Sequence, residues 1–121
     1  MILAAENTAS ALTEKLLATL DDGKAIDIRT LDVRRLTAIT DFMLIASGRS
    51  SRQVKALTKR VRDRANSTGA KILGIEGERQ AQWVLVDLDD VVVHIMQSEA
   101  RDFYQLEKLW SDRMPGQADV I

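Results

Sequence analysis

Residues 83–110 read WVLVDLDDVVVHIMQSEARDFYQLEKLW, and this stretch decides the fold. Two runs rich in β-branched residues, 83–88 and 91–96, are separated only by Asp89-Asp90. Strand-forming runs with so little chain between them pair antiparallel, as a hairpin. The period then turns helical. Phe103, Leu106 and Trp110 stand at i, i+3 and i+7 with Tyr104 beside them, which predicts a short amphipathic helix packing through those three residues. Both tryptophans, the only tyrosine, the only histidine and one of the two phenylalanines fall here, in a chain with 4% aromatic residues. Such a concentration marks either a core or a contact surface. Alternation sends Trp83 and Leu85 to one sheet face and Val84 and Val86 to the other, so both faces are apolar. An apolar face rimmed by Asp87, Asp89 and Asp90 reads as a protein-docking patch, with core burial of Trp83 as the competing reading.

Upstream, Ala9, Leu12, Leu16 and Leu20 recur near helical spacing over 7–20, with Asn7 or Thr8 as cap and Asp21-Asp22-Gly23 as stop. Ile26 and Ile28 alternate with Asp27 and Arg29, as in a strand exposed on one side. The continuous apolar run 42–46 predicts a central strand covered on both faces. Ser50 and Gln53 have capping-box spacing, opening a helix that buries Val54, Leu57, Val61 and Ala65 and stops at Gly69. Residues 70–75 predict a further strand, and 76–82 a polar connection. The fold class is mixed α/β (α+β): a single mixed sheet of about five strands flanked by helices. One domain is expected over 1–111, with 112–121 a flexible tail.

At 121 residues the chain suits one compact core, and 45% hydrophobic with 29% charged residues is the composition of a folded globular domain. No apolar run approaches the ~20 residues of a membrane span. No basic residue precedes the apolar start of MILAAE, so a signal peptide is not expected; with no cysteine, the expected location is cytoplasmic. The net charge of −1 conceals polarity. Residues 49–71 carry eight basic side chains against Asp63 alone, and 76–112 carry nine acidic against three basic. Such asymmetry steers association with charged partners.

Three features invite a chemical reading. Gly48-Arg49-Ser50-Ser51, at a strand-to-helix turn, has free N–H groups for a phosphate, and Asp87 with Asp89 suggest a Mg²⁺-holding pair as in nucleotidyltransferases. The spacing opposes this, because a helix and a further strand separate turn from carboxylates, and Asp89 is at home in a turn. His94 has no second histidine or cysteine for a metal centre and no identifiable nucleophile, so it reads as structural. The basic helix suits nucleic-acid phosphates but offers no aromatic platform for stacking bases. No metal, cofactor or catalytic residue is assigned.

Taken in order, Leu31-Asp32-Val33, Thr40-Asp41-Phe42, Ser47-Gly48 with Ser50-Ser51-Arg52-Gln53-Val54, Gly74-Ile75-Glu76-Gly77, Trp83-Val84-Leu85-Val86-Asp87, Val93-His94-Ile95-Met96, and Arg101 with Phe103-Tyr104, Leu106-Glu107 and Leu109-Trp110 resemble the ribosomal silencing factor, or Iojap-like, family. Each motif is weak alone; the ordered set, over about residues 5–111, is specific. The resemblance implies a nucleotidyltransferase-like topology without the active site. It also implies a non-enzymatic role: docking on the large ribosomal subunit, at the ribosomal protein numbered fourteen, to exclude the small subunit and repress translation when nutrients are short. Trp83, Leu88 and Tyr104 carry over as apolar anchors. Asp87, Asp90 and Glu107 form a candidate acidic rim facing a basic ribosomal protein, and Arg52, Lys55 and Lys59 are the candidates for contacting ribosomal RNA. A homodimer of the free protein through the same face is a further expectation. The alternative is a degenerate nucleotidyltransferase-like or RNA-binding module acting in ribosome assembly. One position departs from the family: Asp89 replaces the usual turn glycine, so a φ > 0 there has to be supplied by aspartate.

Overall fold

The two long helices begin where side chains take up their first free N–H groups. In the computed structural model, which describes residues 8–106 and 108, the chain runs as α1 (Ala9–Asp22), β1 (Ile26–Asp32), β2 (Phe42–Gly48), α2 (Ser51–Thr68), β3 (Gly74–Glu76), β4 (Trp83–Asp87), β5 (Val91–Gln97) and α3 (Ser98–Tyr104). Thr8 Oγ1 accepts from the Ala11 N–H at 3.1 Å, and Ser50 Oγ accepts from the Gln53 N–H at 3.1 Å. Gln53 Oε1 does not close the expected box onto Ser50; it accepts from the Arg49 N–H at 2.7 Å. The end of α2 is a Schellman motif: Gly69, at φ +81°, donates to Asn66 O, and Ala70 donates to Ala65 O.

The five strands form one mixed sheet in the order β1-β2-β5-β4-β3. Only β2 and β5 run parallel, Phe42 pairing with Val91 and Gly48 with Gln97; the other three pairings are antiparallel. The continuous apolar run lies in the interior of the sheet, as expected for a strand covered on both faces, with Met43 to Gly48 all buried. Two cores result. The larger lies between the sheet and α1 and α2, where Leu16, Leu20, Val54, Leu57 and Val61 meet Leu44, Val84, Val86, Val93 and Ile95. The smaller, on the opposite face, gathers Leu31, Val33, Met43, Ile45 and Met96, with Leu36, Trp83, Ala100 and Leu106 at its margin. Among the described residues this face is covered by the 33–41 loop, the seven residues of α3 and Leu106, and Trp83, Leu85 and Val92 on β4 and β5 stay half-buried.

Two expectations need correction. Phe103 does not pack in a helical stripe: it is 80% exposed. The helix stops at Tyr104, where Gln105 takes the left-handed conformation at φ +48°, so the i, i+3 register with Leu106 is broken. Trp110, the third member of that stripe, lies outside the described residues. Leu88 is no exposed anchor. It is buried at 4% in the larger core, on the face of Val84 and Val86, because it stands at even spacing from them.

Candidate functional site

On the face away from α1 and α2, β4 and β5 set Trp83 and His94 as diagonal neighbours: His94 pairs with Leu85, and Trp83 with Met96. The Trp83 indole N–H donates to His94 Nδ1 at 2.9 Å. An indole nitrogen is a donor only, so His94 is neutral with its proton on Nε2. Burial lowers its pKa to about 4, which keeps it neutral at physiological pH. Histidine in the strand is therefore a structural acceptor, as its isolation in the sequence suggests.

Aromatic contacts continue outward from this pair. The Tyr104 ring lies 4.9 Å from that of Trp83, tilted by 47°, and Phe103 meets Tyr104 edge-on at 5.0 Å. Trp83 is half-buried, whereas Tyr104 is 56% exposed. Aromatic rings in tilted and edge-on contact on a half-buried sheet face form an apolar surface of low conformational entropy. Leu85 and Val92, half-buried, extend it along the strands.

The position of α3 is fixed from below. Arg101 is buried at 5% and donates to Ser47 Oγ at 2.8 Å and to Ile26 O at 3.5 Å, tying the helix to β2 and β1. A buried guanidinium so engaged sets the register of Phe103 and Tyr104 over the sheet.

The carboxylates sit elsewhere on the hairpin. Asp87 is four residues from Trp83, roughly 13 Å along an extended strand, and Asp90 lies in the turn beyond it. Asp87 Oδ1 accepts the Asp89 N–H at 2.9 Å, and Asp90 N–H donates to Leu88 O at 3.0 Å across Asp89. With φ +72° at Asp89 this is the rarer, strained kind of γ-turn. Asp89 does supply the positive φ expected of it at this turn. Asp87 and Asp90 thus flank one end of the aromatic face. Glu107 lies outside the described residues.

Arg52, Lys55 and Lys59 are exposed on α2, across the sheet from the aromatic face. Lys59 is paired with Asp63 at 2.8 Å, and neighbouring Arg62 with Glu78 at 2.6 Å, so the basic stripe is partly neutralised by its own protein. At the Gly48–Ser51 turn, the N–H groups of Arg49 and Gln53 are already taken by Gln53 and Ser50. Among the described residues no group of three or more His, Cys, Asp or Glu side chains could hold a metal, and no helix is long and apolar enough to cross a membrane. Sequence reasoning overlooked exposed Ile39, at 82% exposure in the 33–41 loop, which leads into the end of β2 away from the register of Trp83. A lone apolar residue between Ala38 and Thr40 carries no periodic signal.

Residues 6–120 match the family model described as "Ribosomal silencing factor during starvation". The chain belongs to the ribosomal silencing factor family. A ribosomal silencing factor of Haemophilus influenzae is 48% identical over 101 residues, which is 84% of this chain and 99% of that protein. A crystal structure of a Chromobacterium violaceum protein is similar at TM-score 0.83 and 41% identity, covering 85% of this chain and 86% of that one. More distantly, the mouse protein named "Mitochondrial assembly of ribosomal large subunit protein 1" is 31% identical over 103 residues, 83% of this chain and 45% of its own length. The family agrees with the expectation drawn from the ordered motifs, and the mixed α/β class with its five-stranded sheet agrees with the strand and helix pattern of the sequence.

Proposed function

We propose that this ribosomal silencing factor docks on the large ribosomal subunit through the Trp83–Tyr104 face, at the ribosomal protein numbered fourteen. Occupying that intersubunit site excludes the small subunit and represses translation when nutrients are short, without catalysis. The observation that carries this reading is the aromatic pair in which exposed Tyr104 packs on half-buried Trp83, on a sheet face that the described residues leave partly open. The mouse relative's name, which refers to the ribosomal large subunit, supports the same partner. Asp87, Asp90 and Glu107 add negative charge that favours a basic protein and speeds encounter.

The test is co-sedimentation with isolated large subunits. Trp83→Ala or Tyr104→Glu abolishes it with the fold intact, since loss of a hot-spot anchor costs ~2 kcal/mol or more. Wild-type capture of both variants would remove this face from consideration. A homodimer through the same face would compete with docking, and sedimentation equilibrium with and without Tyr104→Glu measures that competition.

A second reading, an RNA-binding module acting in ribosome assembly, is favoured by the exposed Arg52 and Lys55 on α2. Because α2 lies across the sheet, RNA contact there adds to protein docking and does not replace it. Charge reversal of Arg52, Lys55 and Lys59 lowers the salt dependence of subunit binding if they touch phosphates. Binding to naked ribosomal RNA as tight as to the intact subunit would favour the second reading over the first.

A further inference from the structure

We infer that His94 is the positioning residue of the docking face: it holds the Trp83 ring in the one orientation against which the Tyr104 ring packs. The inference rests on the docking reading above and says how that surface is kept ready.

Trp83 packs on the smaller core, and its polar edge is held by a bond that a change of a single atom removes. Its one polar group donates to His94 Nδ1 at 2.9 Å, and the His94 ring, 5% exposed in the middle of β5, has no freedom to follow a moving partner. Rotating the indole about its side-chain bonds would leave His94 Nδ1 without a donor and carry the ring away from Tyr104, 4.9 Å distant. The hydrogen bond and the tilted ring contact therefore select the same rotamer. The bond also uses the only donor that an indole has, so the ring meets a partner as apolar surface with no polar demand of its own. A surface fixed before encounter loses less entropy on binding than one that must order.

Asparagine places an amide oxygen one atom beyond Cγ, where histidine has Nδ1, and leucine offers an apolar group of similar reach. The experiment compares full-length His94→Leu, His94→Asn and Trp83→Phe for affinity to isolated large subunits, with the Trp83 indole N–H followed by NMR. His94→Leu is expected to weaken binding about tenfold, the equivalent of one well-placed hydrogen bond, and to speed solvent exchange of the indole proton. His94→Asn restores both. Trp83→Phe keeps a ring without a donor and loses a similar factor, and adding His94→Leu to it changes little further. Should His94→Leu fail to fold, the comparison of Trp83→Phe with His94→Asn carries the test. Wild-type affinity in His94→Leu alongside lost binding in Trp83→Ala overturns the positioning role and leaves the docking face standing. Equal losses in the Leu and Asn variants also overturn it. Wild-type affinity in Trp83→Ala overturns both readings.

Discussion

Gly77 and the carbonyl oxygen of Trp83 occupy neighbouring space so completely that a Cβ on Gly77 would collide with that oxygen. Gly77 also sits at φ +85°, where any other residue is strained. The loop from Gly77 to Gln82 thereby delivers Trp83 to the start of β4, with the Ala81 N–H bonded to Gly77 O at 2.9 Å. Gly77→Ala is expected to destabilise by about 2–4 kcal/mol through strain and backbone clash together. Urea unfolding measures it, and loss of subunit capture accompanies it because Trp83 is displaced.

The turn at Asp89 makes the opposite prediction. A non-glycine residue at φ +72° carries a penalty of about 1 kcal/mol, and the Asp87 carboxylate that holds the turn binds a backbone N–H, not the Asp89 side chain. Asp89→Gly should therefore raise stability by about 0.5–1 kcal/mol, visible as an increase of several degrees in Tm. An unchanged or lower Tm would show that the strain is relieved by other means.

His94 gives the protein an acid-side liability. Its folded pKa, about 4, lies below the ordinary value of 6.5, so the unfolded chain binds a proton that the folded chain refuses. Above pH 6.5 the group contributes nothing to the pH dependence. Between pH 6.5 and 4 stability falls as pH falls, by on the order of 3 kcal/mol over the window. Unfolding free energies of wild type and His94→Asn, measured from pH 7.5 to 4, check this: the slope below pH 6.5 is shallower in the variant.

Leu88 separates fold from function. Leu88→Ala empties part of the larger core and should cost about 2–4 kcal/mol of stability. The volume-conserving Leu88→Met costs little and leaves subunit binding at the wild-type level. A binding defect in Leu88→Met at unchanged stability would place Leu88 back in the contact surface.

Much of the fold was legible because burial leaves periods in the sequence. The run 42–46 announced an interior strand, and the two β-branched runs around Asp89-Asp90 announced the hairpin. The parity of β4 already placed Leu88 with Val84 and Val86; only the carry-over from the family made it an anchor. Phe103 was misread because its periodicity presumes a helix that continues, and Gln105 ends that helix one residue after Tyr104. The bond between Trp83 and His94 was out of reach. It joins residues 11 positions apart across two strands, and no pattern in one chain states which diagonal neighbours point together. The distance of Asp87 from Trp83, by contrast, follows from their four-residue spacing along β4.

The parallel pairing at the centre of the sheet has a consequence for how the molecule comes into being. Phe42 waits for Val91, 49 residues later in the chain, and no hairpin can substitute for that closure. The β4–β5 hairpin can form locally, but it stays unsupported until β2 joins it. Folding is therefore set by a late, long-range event of high contact order, slower than the local α1 and α2 steps that precede it. The aromatic face is the last surface to be completed, since α3 follows β5 directly. A chain that stops short of Tyr104 carries Trp83 without the tyrosine ring that packs against it.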